Sequence, residues 1–156
     1  MSSPEAFQQL IKSVTDTLAE RPLDDVLEAD LNERFPFGGD TYRRIVMACK
    51  EGIDEGWMCK YESGGIRFGR VIKPTDDLDG YSVDVVEMQD TAGPHHRHPN
   101  GEIDLIMPLD ATAQFDGRPG GWLVYGPDSA HSPTVSQGRA LVLYLLPQGK
   151  IEFTST

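Results

Sequence analysis

Cysteine is scarce in this chain. Only Cys49 and Cys59 occur, with no CxxC pattern and no histidine beside either. A disulfide framework and a thiolate metal site are therefore excluded as organising features, and two reduced thiols are expected. Positive charge is also short: 14 Lys and Arg stand against 25 Asp and Glu, a net charge of −11. Without a clustered basic face, neither nucleic-acid binding nor docking on anionic lipid is expected. No apolar run is long enough for a transmembrane helix. The first residues, MSSPEAFQQLIKSV, lack a basic segment leading into an apolar one, so no secretory leader is expected and a cytoplasmic location is. Histidine is sparse as well, but its distribution is uneven. His95, His96 and His98 fall within four consecutive positions, and His131 is the only other.

What is present suits one domain able to bury a core without cross-links. Residues 1–56 read as a helical segment. Ser3-Pro4 supplies an N-cap and a first-turn proline, and Phe7, Leu10, Ile11, Val14 and Leu18 share one helical face. Pro22 opens a second helix with Leu23, Val26, Leu27 and Leu31 as its stripe. After Gly38-Gly39, Asp40 caps a third, carrying Tyr42, Ile45, Val46, Cys49 and Ile53 and ending at Gly56. From Trp57 the period changes. About nine short strands are expected: Trp57–Glu62, Ile66–Ile72, Tyr81–Met88, Gly101–Met107, Ala111–Asp116, Gly121–Tyr125, Ser132–Val135, Ala140–Leu146 and Ile151–Phe153. Ser63-Gly64-Gly65 and Asp116-Gly117 read as hairpin turns. Short strands with frequent turn signals indicate a sandwich or small barrel rather than βαβ units. Both parts are acidic, so the helices are expected to pack outside a barrel spanning 57–156, in one structural domain.

The chemistry is concentrated in Gly93-Pro94-His95-His96-Arg97-His98-Pro99-Asn100-Gly101-Glu102-Ile103-Asp104. In an extended strand His96 and His98 point one way and His95 and Arg97 the other. A turn through Pro99-Asn100-Gly101 would bring Glu102 back to face the two imidazoles. His131, after the turn-rich loop Gly126–Ala130, could close the set. Imidazoles with a carboxylate suit a borderline divalent ion such as Zn, Fe, Mn, Ni or Co. His95 replaces His96 as a ligand if the strand bulges there.

The HxHxxxE pattern of His96, His98 and Glu102, with His131 downstream of a Gly/Pro turn, resembles the two signature motifs of the cupin superfamily. The resemblance implies a mainly β fold, a cupin-like antiparallel β-barrel (double-stranded β-helix), with His96, His98, Glu102 and His131 at the metal-ligand positions. The second motif departs from the pattern, with Ser129 where glycine is usual and His131 one residue early. Across nearly the whole chain, EGW at 55–57, PHHRHPNGEIDLIMPLD at 94–110, FDG at 115–117 and PTVSQGRALVLYLLPQGKIEF at 133–153 resemble the 4-hydroxylaminobenzoate lyase family. That resemblance implies conversion of 4-hydroxylaminobenzoate to 3,4-dihydroxybenzoate and ammonia. Another metal-dependent cupin enzyme, a dioxygenase or isomerase of small aromatic acids, and a non-catalytic ligand-binding cupin remain alternatives. A homodimer is implied by resemblance only.

If Glu102 points inward, period 2 puts Asp104 and Ile106 inside too. A buried carboxyl there is either structural or a proton-transfer group with a raised pKa, so Glu102 and Asp104 are the candidate catalytic residues. An aromatic carboxylate needs a cation, for which Arg67, Arg70 and Arg97 are candidates. Tyr61, Tyr81, Trp122 and Tyr125 are candidates for lining an aromatic pocket.

Overall fold

In the computed structural model, which describes residues 3–154, three helices precede ten strands. Helix α1 (Pro4–Thr15) begins where Ser3 is extended and its hydroxyl accepts the Ala6 N–H, with Pro4 in the first turn where no N–H is needed. Its buried face carries Phe7, Ile11 and Val14. Helix α3 (Asp40–Glu55) buries Tyr42, Ile45 and Cys49 and ends at Gly56, whose φ of +86° admits glycine most readily. Helix α2 (Asp25–Arg34) starts later than Pro22. Asp24 supplies the side-chain cap that Pro22 cannot, accepting from the Leu27 N–H at 2.9 Å. Val26 is consequently outside the buried stripe, 69% exposed, and only Leu27 and Leu31 are buried. No helix of the described residues is long and apolar enough to cross a membrane.

The strands are β1 (Tyr61–Ser63), β2 (Ile66–Ile72), β3 (Tyr81–Ala92), β4 (His96–His98), β5 (Glu102–Pro108), β6 (Gln114–Phe115), β7 (Gly121–Tyr125), β8 (Ser129–His131), β9 (Thr134–Pro147) and β10 (Glu152–Phe153). Three expectations shift. Trp57–Lys60 is not strand, because the Trp57 ring folds back over Gly52, where a β-carbon would come within 3.0 Å of it, and Cys59 takes φ +55°. Of Ser132–Val135 only Thr134 and Val135 are strand, at the start of β9, and Pro133, which has no N–H for a ladder, lies in the gap after β8. Only Gln114 and Phe115 of 111–116 pair with β9.

All pairings are antiparallel. The larger sheet runs β1-β2-β3-β9-β5-β7 with β6 also on β9, and the smaller runs β10-β4-β8. The centre of the larger sheet is covered on both faces. Val83, Val85, Ile103, Leu105, Leu143 and Leu145 share one apolar core with Phe7, Ile11, Leu31 and Ile45 of the helices. The alternate residues Val86, Met88, Ile106, Leu123, Val142 and Tyr144 form a second core. Two-sided burial explains why β5 and the second half of β9 read as near-continuous apolar runs instead of alternating.

Strand β7 ends the larger sheet, and α2 covers its open edge with side chains. Asn32 Oδ1 accepts the Trp122 N–H at 2.9 Å while its Nδ2 donates to the Trp122 carbonyl at 3.0 Å. Glu28 Oε1 accepts the Val124 N–H at 2.8 Å. These groups stand where a further strand would pair, which protects the edge from another chain. Replacing Asn32 by Ala removes both bonds and strands a buried donor, so Asn32→Ala should lower unfolding free energy by about 2 kcal/mol. Urea unfolding checks this, with Glu33→Ala on the exposed side of the helix expected to stay within about 0.5 kcal/mol of wild type.

Candidate metal centre

Strand β4 delivers the alternation that its length allows. His96 and His98 are buried, at 2% and 0% exposure, while Arg97 between them faces outward. The strand is unbroken by a bulge, so His95 does not replace His96. It turns away, and its Nδ1 meets Thr154 Oγ1 at 2.5 Å. The turn after β4 closes at Gly101, φ +91°, where a β-carbon would come within 2.8 Å of the Tyr125 carbonyl. Glu102 then opens β5 at 0% exposure. His131 arrives by pairing: β8 lies beside β4 with His131 directly opposite His96.

The four side chains converge. One ligand atom from each of His96, His98, Glu102 and His131 lies within 4.8 Å of all the others. Glu102 Oε1 is 3.3 Å from His96 Nε2 and 3.6 Å from His98 Nε2, and Oε2 is 3.4 Å from His131 Nε2. Each imidazole is oriented from behind through its other nitrogen. His98 Nδ1 donates to Ser129 Oγ at 2.7 Å, because that hydroxyl itself donates to the Gly126 carbonyl. His131 Nδ1 donates to Asp116 Oδ2 at 2.5 Å, and His96 Nδ1 donates to the Pro94 carbonyl at 3.4 Å. With three Nδ1 atoms acting as donors, the three Nε2 atoms face one another and Glu102. His98 Nε2 is buried with no hydrogen-bond partner among the described residues, and Glu102 Oε2 has only the long contact with His131 Nε2 at 3.4 Å. Buried acceptors left in this way are costly unless a cation joins them, and outer partners on Nδ1 are the usual support of metal-bound histidines. The donor set therefore fits a borderline divalent ion.

The protonation pattern follows from the same geometry. Burial pushes His98 down to about 4. Burial also acts against charge on His131, but hydrogen bonds with Asp116 and Glu102 outweigh it and hold the imidazole up at about 9. A proton is thus retained among the converging nitrogens, where positive charge is favoured. Burial opposes the charge on Glu102 too, yet the bonds from His131 and His96 keep it well below the usual carboxylate range. Asp104, on the same inward face between Tyr144 of β9 and Leu123 of β7, is fully buried. Burial first and the Glu102 charge second push its carboxyl well above the ordinary value.

Asp116 is the residue that the sequence reading missed. It sits in the Asp-Gly turn, and its carboxylate receives His131 Nδ1, the Tyr125 hydroxyl at 2.5 Å and the Thr134 N–H at 2.9 Å. The turn was legible, but nothing local says which groups the carboxylate meets. Tyr125 stacks on the His98 ring, centroids 5.4 Å apart, so it braces the histidines from the side. Ser129, the departure from the usual glycine, is the hydroxyl that orients His98.

A cavity of about 490 Å³ opens beside His96, with Ile66, Phe68, Val86, Met88 and Tyr144 among its walls. Arg70 lines it, its Nε bonded to Asp84 at 2.8 Å. Arg67 and Arg97 lie elsewhere. Strand alternation turns Arg67 to the other face, where it pairs with Glu87 at 3.2 Å, and Arg97 pairs with Glu152 and Asp128 on the outside. Tyr61 is exposed, while Tyr81 and Trp122 belong to the core shared with the helices.

The family model described as 4-hydroxylaminobenzoate lyase (PnbB) matches residues 9–153. A 4-hydroxylaminobenzoate lyase of Nocardioides sp. (strain LMS-CY) is 30% identical, covering 100% of this chain and 98% of its own. One of Pseudomonas putida is 30% identical over 81% of this chain and 82% of its own. Among solved structures, one described as DMSP lyases RdDddP and RnDddQII aligns over 98% of this chain and 100% of that chain, with 12% identity and a TM-score of 0.54. That likeness concerns the fold, and it takes in helices and sheets together. A cupin-like protein from Thermotoga maritima covers 60% of this chain and 79% of its own at 15% identity, with a TM-score of 0.47. The fold is mainly β, with antiparallel sheets behind an N-terminal helical segment, as the sequence led us to expect.

In metal-free protein the His131 ring should lose its proton only near pH 9, and Asp116→Asn should bring that midpoint down toward the ordinary histidine range. Ring-proton NMR across pH 5–10 reads both. A His131 midpoint near 6.5 in the wild-type protein would contradict the charge pattern described.

Proposed function

The chain belongs to the 4-hydroxylaminobenzoate lyase family, and we propose that it converts 4-hydroxylaminobenzoate and water to 3,4-dihydroxybenzoate and ammonia in the cytoplasm. In this reading His96, His98, Glu102 and His131 hold a divalent metal ion. The observation that carries it is the convergence of three Nε2 atoms and one carboxylate, one of whose members, His96, is also a wall of an apolar cavity large enough for a substituted benzene ring. The reaction balances without an external oxidant. Breaking the hydroxylamine N–O bond takes nitrogen to the oxidation level of ammonia, while the ring carbons gain the oxygen. One water enters for each ammonia released.

A bound divalent ion supplies Lewis-acid stabilisation of charge as the N–O bond breaks. The protein groups do the remaining work. The apolar walls exclude bulk water from the ring. Arg70, with Nε and Nη2 held by Asp84 and the Gly149 carbonyl, offers Nη1 to the substrate carboxylate. Asp104, kept protonated behind Glu102, is a proton source for the departing oxygen and, once ionised, a base for the incoming water. Glu102 shares that proton traffic to the extent that it is free of the ion. Tyr125 and Asp116 keep His98 and His131 oriented. The protein is proposed to act as a homodimer, which sedimentation equilibrium would test.

Purified protein incubated anaerobically with 4-hydroxylaminobenzoate should release ammonia and 3,4-dihydroxybenzoate in equal amounts. Turnover that stops without O₂ would point instead to a dioxygenase. His98→Ala should lose bound metal by elemental analysis and fall at least about 100-fold in rate, whereas unchanged metal content would remove the site. Arg70→Ala should raise KM by roughly 10- to 100-fold, more than it lowers kcat, because a charged hydrogen bond to the carboxylate is lost.

A further inference from the structure

The run Pro94–His98 has two faces, and only the inward one is used by the candidate metal centre. The outward face fastens the far end of the chain. Strand β10 lies on β4 with Glu152 opposite Arg97 and Phe153 opposite His96. Arg97 donates from Nε and Nη2 to Glu152 Oε1 at 3.1 and 2.8 Å. The Thr154 N–H donates to the His95 carbonyl at 3.0 Å, and the His95 ring meets the Thr154 hydroxyl. A two-residue strand is too short to be held by its ladder alone, so these side chains set its register.

That register has a consequence at the cavity. Ile151 and Phe153 form part of its wall next to His96. The Phe153 ring stands edge-on to the His96 imidazole, centroids 5.9 Å apart, yet it remains 67% exposed. Phe68, 39% exposed, lines the same cavity, so the two rings leave a partly uncovered apolar surface at it, the kind of surface that marks a ligand groove. The other walls join aliphatic Ile66, Val86 and Met88 with the rings of Phe68 and Tyr144, but of the three phenyl and phenol rings on the cavity only Phe153 stands against a candidate metal ligand. Phe153 therefore offers an aromatic face beside the candidate metal ligands.

We propose that Phe153 is a positioning and specificity residue, the ring against which an aromatic substrate packs, and that the β10 segment is a wall of the substrate site fastened by His95 and Arg97. This rests on the reading that the cavity takes an arylhydroxylamine. Phe153 selects flat aromatic acids over saturated ones of equal charge, because offset or edge-on ring contact adds to simple burial. The fasteners act only through the placement of Phe153.

The test uses full-length protein and two non-reacting probes, 4-aminobenzoate and cyclohexanecarboxylate, with binding measured by calorimetry alongside turnover. Wild-type protein should prefer the aromatic acid. Phe153→Ala should weaken 4-aminobenzoate binding and raise KM by about 3- to 10-fold, with cyclohexanecarboxylate binding nearly unmoved and kcat falling by less than KM rises. Phe153→Tyr should restore the preference, Phe153→Leu should restore it only partly, and Glu152→Ala should shift it in the same direction as Phe153→Ala. Metal content and melting temperature should stay at wild-type values. If Phe153→Ala binds 4-aminobenzoate as tightly as wild type does, or if Leu restores the preference as fully as Tyr, the proposal is overturned while the lyase reading stands. Wild-type protein that binds neither acid overturns both.

Discussion

Glu102 is a fully buried carboxylate surrounded by three imidazoles, and the interior on that side of the larger sheet is arranged around keeping it charged. An isolated carboxylate at this depth would cost several kcal/mol, and removing one partner of such a cluster is more damaging than never having built it. The partners must therefore be present together and correctly turned. His96 and His98 come from one short strand, Glu102 from the next, and His131 from a strand that returns to lie beside the first. No two of these segments can shift register by one residue without turning a ligand to the wrong face.

The groups behind the imidazoles answer that demand. Asp116 holds His131, Ser129 holds His98, the Pro94 carbonyl holds His96, and Tyr125 packs on His98 while bonding Asp116. Each bond is made at Nδ1, which leaves Nε2 for the centre. Burial and the neighbouring Glu102 charge push Asp104 toward its neutral form: two adjacent buried carboxyls cannot both ionise cheaply, and the one with imidazole partners is favoured to keep the charge. Acid and anion are thus separated by environment rather than by residue type.

Much of this was legible before any coordinates. The Ser3-Pro4 start of α1, the Gly56 end of α3, the hairpin turns at Gly64-Gly65 and Asp116-Gly117, and the strands at 66–72 and 121–125 follow from caps, turn chemistry and periodicity. The convergence of His96, His98 and Glu102 was legible because strand alternation and a tight turn are local rules. Errors fell where a longer-range contact outweighed a local preference. Pro22 was read as a helix start, but Asp24 had the better capping group. Trp57 was read as strand, but its ring was needed against Gly52. Arg67 and Arg70 are both candidate cations in the sequence, strand alternation sets them on opposite faces, and only the packing of β2 shows which face borders the cavity.

The amino-acid sequence by itself determined the class of the protein: acidic, mainly β behind a helical segment, with a His/Glu constellation of a type able to hold a metal ion and a family resemblance carried by it. It determined which side chains share a face, since that depends on spacing of 2 or 3.6 residues along the chain. The tertiary structure alone decided which faces meet. It set His131 opposite His96, brought Asp116 behind His131, laid Asn32 and Glu28 along the β7 edge, and put Phe153 at the cavity mouth. Those pairings join segments far apart in sequence, and their energies come from mutual burial and hydrogen bonding that exist only once the chain has returned on itself.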